Sequence, residues 1–260
     1  MKYSASDIEK WLILPDIHLP YMDMKTMSVV EQYMEQERFD GWLCLGDLLD
    51  FNEISRFNED SPRRKTELVK QTFEAGNTLL DRHQKIIRKN NKKAKFVYLE
   101  GNHEYRVEDY MDKHEELTGM LEVESNLHLE ERGIEWIRNW SKGDLYTLGN
   151  ANFSHGLFTN QYHSAKMAAR HGACIYYGHT HDVQEMSLAM MGSDKTIVGK
   201  SLGCLCDYNQ KYLKGNPTNW QQAIAVFYIF PDGFYTEHTM RIFKHRFATM
   251  DGKIFDYENT

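Results

Sequence analysis

Five short apolar runs, each ending in a turn that carries Asp, Asn or His, constrain this chain more than any other feature. Leu12 to Leu14 leads into Asp16-Ile17-His18, and Trp42 to Leu45 into Gly46-Asp47-Leu48-Leu49-Asp50. Phe96 to Leu99 leads into Gly101-Asn102-His103-Glu104, Ala151 to Phe153 into Ser154-His155-Gly156, and Cys174 to Tyr177 into Gly178-His179-Thr180-His181. Runs of three to five apolar residues are too short for helices and read as buried strands. Helical spacing lies between them: Met24 to Arg38 forms one segment, and Val69, Phe73, Gly76, Leu80, His83 and Ile87 recur at intervals of three and four. Strands alternating with helices indicate βαβ units. From Asp182 onward the pattern turns mostly strand-like, with patches at Ala223 to Phe230 and Phe234 to Met240. The expected class is α/β, with a two-sheet β-sandwich flanked by helices. No repeat, low-complexity tract or Pro/Gly-rich linker divides the chain, so residues 1–260 are expected to form a single domain, with an acidic helical excursion at about 104–133.

Composition removes several alternatives. An apolar content of 41% supports a large core and argues against intrinsic disorder. No apolar run approaches the ~20 residues of a membrane span, and the N-terminal segment lacks an apolar signal region, so a soluble cytoplasmic protein is expected. Four cysteines (Cys44, Cys174, Cys204 and Cys206) are too few for a disulfide scaffold at this length. Cys204 and Cys206 form a lone C-x-C without a second Cys/His pair near by in sequence, which argues against a structural zinc site. The net charge of −7 excludes a generally cationic nucleic-acid coat. Its distribution is uneven, with seven Lys/Arg and no acid at 82–95 but twelve acids against three bases at 96–135. The basic tract is either a helix end with cations complementing the dipole or a track for a polyanion.

In α/β sheets, ligands bind at the carboxyl ends of strands. Five loops at one such edge would gather three Asp, one Asn and five His. Imidazole with carboxylate suits Mn, Fe, Zn, Ni and Co, and a set without thiolate argues against copper or iron–sulfur centres. Alternation along an extended segment puts the outer residues of Asp-x-His and His-x-His on the same face, so each pair can reach one ion or two adjacent ones. Any one motif arises easily by chance; the ordered set at five strand ends does not.

D-x-H, G-D-x-x-D, G-N-H-E, a lone H-G and G-H-x-H in this order resemble the calcineurin-like metallophosphoesterase superfamily over Asp16 to His181, and the Asp-Phe-x-x-Ile-Ser-Arg-Phe run at 50–57 is similar to its bacterial and phage-type members. The resemblance implies a four-layer αββα fold and two divalent metal ions, Mn foremost. It implies that Asp16, His18, Asp47 and His181 hold one ion, and that Asp47, Asn102, His155 and His179 hold the other, with Asp47 bridging. It further implies that His103 acts on the leaving group, with its ring oriented by Asp50. Two ions ~3.5–4 Å apart lower the pKa of a shared water and neutralise the oxygens of an in-line displacement.

The chain departs from the superfamily's protein phosphatases, which carry a phosphate-gripping arginine after the second Asp of G-D-x-x-D; Phe51 stands there. Arg106 either grips a phosphate oxygen from the same loop or pairs with Glu104, Glu108 or Asp109. The expected substrate is nucleic acid or a nucleotide, motivated by the basic tract, by Arg63-Arg64-Lys65, and by Phe51, Phe57, Tyr105 and Tyr110 near the motif loops. These aromatic residues either stack on bases or pack internally. The alternative is a phosphomonoesterase acting on a small metabolite or phosphoprotein. A non-catalytic scaffold is disfavoured, because every ligand position and His103 are intact.

Overall fold

The computed structural model describes residues 3–55, 66–189, 195–209 and 213–259. Arg63-Arg64-Lys65 and Phe57 lie outside the described residues. One sheet has the order β11-β10-β1-β2-β3-β4, built from β1 (Glu9–Leu14), β2 (Gly41–Cys44), β3 (Lys95–Leu99), β4 (Ile134–Ile137), β10 (Ala223–Ile229) and β11 (Tyr235–Arg241). β1 to β4 pair in parallel, and β10 and β11 join as antiparallel strands. The second sheet has the order β5-β6-β7-β9-β8, from β5 (Tyr146–Leu148), β6 (Ala151–Ser154), β7 (Ile175–Tyr177), β8 (Glu185–Ala189) and β9 (Thr196–Ser201). β6, β7 and β9 are parallel. A hairpin of β12 (Arg246–Ala248) and β13 (Ile254–Asp256) follows.

The helices are α1 (Met24–Gln36), α2 (Thr66–Asn90), α3 (Asn102–Met111), the one-turn α4 (Val123–Asn126), α5 (Leu129–Arg132) and α6 (Asn139–Lys142), and α7 (His163–His171). Asp23 caps α1, its carboxylate accepting the N–H groups of Lys25 and Thr26. The segment between β3 and β4 is thus mostly helical.

Past their first residues the central strands β1, β2 and β3 are buried and apolar, because both of their faces are covered. On β1, Trp11 and Ile13 point into the layer shared with the second sheet, where they meet Phe153, Tyr176 and Phe227. Leu12 and Leu14 point the other way, into the layer formed with Met27, Val30, Phe73 and Leu80 of α1 and α2. β2 divides likewise, with Leu43 between the sheets and Trp42 and Cys44 under the helices. A third cluster, Met167, Ile175 and Tyr177, seats α7 on the outer face of the second sheet. The order of layers is helix, sheet, sheet, helix, the two-sheet sandwich expected from the strand pattern. Truncating a fully buried anchor such as Trp11 to Ala costs about 3–5 kcal/mol. No helix among the described residues is long and apolar enough to cross a membrane.

Candidate metal centre

Parallel pairing puts the carboxyl ends of β1, β2 and β3 along one edge of the first sheet, and those of β6 and β7 along the matching edge of the second. The nine side chains singled out in the loops meet there. The backbone is bent to bring them in. Asp16, His18, Asp47, His179 and His181 all have positive φ, between 38° and 67°. Such non-glycine conformations cost of order 1–3 kcal/mol each and cluster at functional sites. Glycine supplies the close approach: a Cβ on Gly178 would lie 1.9 Å from Asp16 Oδ2, and one on Gly101 2.2 Å from Asp47 Oδ1.

Three of the four groupings found among the described residues with ligand atoms within 4.8 Å of one another are built from these Asp and His residues alone: Asp16, His18 and His181; Asp47, His155 and His179; and His18, Asp50 and His103. Nε2 of His18 faces Nε2 of His181 at 3.0 Å. Asp47 Oδ2 lies 3.3 Å from His155 Nε2, 3.6 Å from His18 Nε2 and 3.8 Å from His103 Nε2. One buried carboxylate oxygen therefore stands between the first two groupings. Asn102 Oδ1 reaches His155 Nε2 at 2.9 Å. Three rings are held from behind, each by a different group. Nδ1 of His18 meets Asp50 Oδ2 at 3.1 Å, Nδ1 of His155 meets the Leu45 carbonyl at 2.9 Å, and Nδ1 of His181 meets Cys206 Sγ at 3.8 Å. Contacts of this kind turn the opposite nitrogen of a metal-binding imidazole toward the ion.

The electrostatics call for positive charge. Burial disfavours protonated His18, yet the Asp50 hydrogen bond and the charges of Asp47, Asp50 and Asp16 raise its pKa to about 9. At His155 burial is again overcome, chiefly by the charge of Asp47 and its hydrogen bond, and the pKa reaches about 9. Burial opposes ionisation of Asp47 as well, but the imidazoles of His103, His155 and His18 hold its carboxyl well below the usual range. Carboxylates that draw protons onto two buried imidazoles will accept a cation in their place. The donor set fits a divalent ion of the Mn, Fe or Zn type.

His103 is the second residue of α3, just behind this cluster. Its backbone N–H donates to Asp47 Oδ1 at 2.9 Å, so the carboxylate shared by the two groupings also caps the helix. Nδ1 contacts the backbone carbonyl of Asp50 at 2.7 Å, whereas the Asp50 carboxylate is 3.4 Å away and closer to His18. The carbonyl of Asp50 thus orients His103, and its carboxylate orients His18. Burial and the neighbouring His18 and Arg106 outweigh the acids and bring His103 down to about 4. Arg106 donates to the Asp50 carbonyl at 2.9 Å and lies 3.3 Å from His103 Nε2. Of the acids near it in sequence, Glu108 pairs with Arg138 and Asp109 with Lys113.

Several further residues complete the site, and of these the sequence offered a role only for Glu104, as a partner of Arg106. Glu104 is buried and accepts from the N–H groups of Asp47 (2.9 Å), Leu49 (3.0 Å) and Gly101 (2.9 Å) and from the Tyr98 hydroxyl (2.6 Å). It pins the β2 and β3 loops to each other, and its signal was the Glu three residues after a helix-opening glycine. Asp182 does the same for the β7 loop, accepting from Thr180 Oγ1 at 2.7 Å and contacting His163 Nε2 at 3.1 Å. Trp140 lies against His155 and His179, at ring separations of 5.8 and 5.2 Å, and Trp220 against His181 at 4.4 Å. Neither tryptophan had a local pattern pointing to the site.

Two proposed substrate contacts lie elsewhere. Phe51 is fully buried and packs edge-on against Phe73, so it cannot stack on a base. The basic tract sits at the opposite edge of the sheet. Asn90, at the end of α2, donates to the Glu35 and Glu37 carbonyls, and Asn91 to that of Phe39, just before β2 begins. Within the tract Arg82 pairs with Glu31, Lys95 pairs with Glu9, and Arg88 lies over the Phe96 ring.

No family model matches the chain. The gene 54 protein of Mycobacterium phage L5 is 23% identical over 256 residues, covering 94% of this chain and 98% of that protein. Among solved structures, Vps29 of Entamoeba histolytica complexed with Zn²⁺ is 13% identical and covers 94% of this chain and 95% of its own, with a TM-score of 0.43. A nuclease, MPE, of Pseudomonas putida is 13% identical over 94% of this chain and 86% of its own, with a TM-score of 0.35.

Proposed function

We propose that this chain is a two-metal phosphoesterase that cleaves phosphate diesters of nucleotides. The observation that carries the reading is Asp47 Oδ2, set between His18 Nε2 at 3.6 Å and His155 Nε2 at 3.3 Å. In this reading Asp16, His18, Asp47 and His181 would hold one divalent ion, Asp47, Asn102, His155 and His179 would hold the other, and Asp47 would serve both. Such a pair, when bound, acidifies a water and neutralises the attacking and leaving oxygens of an in-line displacement. The protein's part is positioning. Asp50, the Leu45 carbonyl and Glu104 hold rings and loops in register, so little reorganisation accompanies reaction.

His103 and Arg106 face the leaving group together. His103 is neutral as it stands, with Nε2 accepting from Arg106. An anionic phosphate beside it raises its pKa, and the ring then becomes a proton donor to the departing oxygen. Arg106 holds a non-bridging oxygen from the same loop. Trp140, half-buried against His155 and His179, offers an aromatic face to a base. A second reading, a phosphomonoesterase on a small metabolite, is favoured by the basic tract at 82–95 lying at the far edge, which leaves no run of cations beside the centre among the described residues.

The test is a substrate panel on metal-stripped protein with and without added Mn²⁺. Bis-p-nitrophenyl phosphate, p-nitrophenyl phosphate, cyclic nucleotides and short oligonucleotides are compared by kcat/KM. Mn²⁺-dependent turnover with preference for diesters is expected. Preference for the monoester moves the assignment to the phosphatase, and turnover that survives exhaustive chelation overturns the metal mechanism.

A further inference from the structure

The imidazole of His181 has two faces, and only one belongs to the centre described above. Its Nε2 looks toward His18, while Nδ1 looks toward Cys206 Sγ at 3.8 Å. Cys204 completes a group of three, whose donor atoms all lie within 4.8 Å of one another and whose residues are all buried. In sequence this C-x-C has no histidine partner near by; the β7 loop delivers one across the sheet edge.

We propose that Cys204, Cys206 and Nδ1 of His181 form a second, thiolate-rich site for a soft divalent cation of the Zn²⁺ or Cd²⁺ type. Tetrahedral zinc with Zn–S of ~2.3 Å and Zn–N of ~2.0–2.1 Å puts its sulfur and nitrogen ligands roughly 3.5 Å apart, close to the separation seen here. The supporting chain is already rigid. Cys204 N–H donates to the Gln221 carbonyl at 3.0 Å, Leu205 N–H to the Asp16 carbonyl at 2.9 Å, and Gln222 Nε2 to the Cys206 carbonyl at 3.1 Å. The extended C-x-C turns both thiols to one side, with the Leu205 side chain packed into the opposite, helix-facing layer. Thiolate ligands select softer ions than the Asp/His centre does, so the two sites differ in preference. Loading releases both thiol protons to solvent as two metal–sulfur bonds form. Because the sites share one ring, a soft cation bound to Nδ1 also weakens ion binding at Nε2. That consequence rests on the proposed function; the thiolate site does not.

The experiment is a Cd²⁺ titration of the reduced, metal-stripped full chain, followed by sulfur-to-cadmium charge-transfer absorption and by total bound cadmium. One equivalent is expected to carry the sulfur band. Cys204→Ser and Cys206→Ser should each weaken that equivalent at least about tenfold, and the double variant should lose the band. Cadmium NMR of the wild-type protein, which needs no variant to fold, should show one resonance shifted downfield by sulfur. Bound cadmium with no sulfur band and no downfield resonance overturns the proposal, and so does a band unchanged in the double variant. Asp47→Asn should keep the band whatever its effect on the neighbouring centre, so each reading fails on its own evidence.

Discussion

Replacing Gly178 with alanine tests whether close packing at a loop glycine sets the geometry of the metal centre. Gly178 does not have a positive φ, so the backbone accepts alanine without strain. The obstacle is one side chain: the new Cβ would lie 1.9 Å from Asp16 Oδ2, where ordinary contact begins at 3.4 Å. In a close-packed site Asp16 must retreat by about 1.5 Å. That move breaks the bonds its two oxygens accept from His179 N–H at 2.8 and 2.9 Å. It also carries Oδ1 away from His181 Nε2, now 3.5 Å distant. Overpacking of this kind costs about 1–3 kcal/mol of stability. Displacing a ligand by more than an ångström should lower affinity at the Asp16–His18–His181 grouping by on the order of 10²-fold. Asp47, Asn102 and His155 are untouched and His179 loses only a backbone bond, so the other ion should remain bound, with a smaller loss of affinity. The control is Gly172→Ala, at a positive-φ position with nothing within 4 Å of the new Cβ, which should cost stability and leave ion binding alone. Mn²⁺ binding by calorimetry and by total metal content, with urea unfolding of each variant, reads both effects. Two equivalents bound at wild-type affinity in Gly178→Ala would refute the reasoning.

Four further outcomes are expected. Asp47→Asn should lose at least one of two ions and nearly all turnover; two equivalents with normal kcat would remove the bridging role. His103→Asn should keep both ions and lower kcat by on the order of 10²–10⁴-fold, less for a p-nitrophenolate leaving group than for an alkoxide. A missing ion would instead make His103 a ligand, as its grouping with His18 and Asp50 allows. Burial keeps His83, 3.3 Å from Glu31, below its usual 6.5. The unfolded chain therefore takes up a proton that the folded chain resists, and stability present above 6.5 declines as pH falls below it. His83→Leu should lose less stability than wild type between about pH 7 and about pH 5, and urea midpoints with equal slopes would refute this. Finally, changing Lys85, Lys89, Lys92 and Lys93 to Gln should leave the salt dependence of oligonucleotide KM unaltered, since the tract is at the far edge; a flatter slope would restore it as a nucleic-acid track.

The amino-acid sequence by itself determined the strand order of the motifs, the layer class and the chemical character of the site. Apolar runs of three to five residues mark strands buried on both faces, and a polar cluster at the end of each can only lie at a sheet edge. β2 and β3 were legible to within one residue at each end, and β1 over its apolar C-terminal half, because their apolar runs and flanking turns are local. What the tertiary structure decided depends on residues far apart in the chain. Asp50 dividing its carboxylate and carbonyl between His18 and His103, and Trp140 against His179, are contacts across loops with no local pattern, and the local capping signal at Glu104 does not show that it also binds the β2 loop. The basic tract shows the same limit. A run of cations has a sequence, but its distance from the site depends on α2 returning antiparallel to the strands, which carries the end of the helix to the opposite edge. Cys204 and Cys206 are the sharpest case. Their nearest histidine partner lies more than twenty residues away, and only the meeting of the β7 loop with the segment before β10 brings His181 to them.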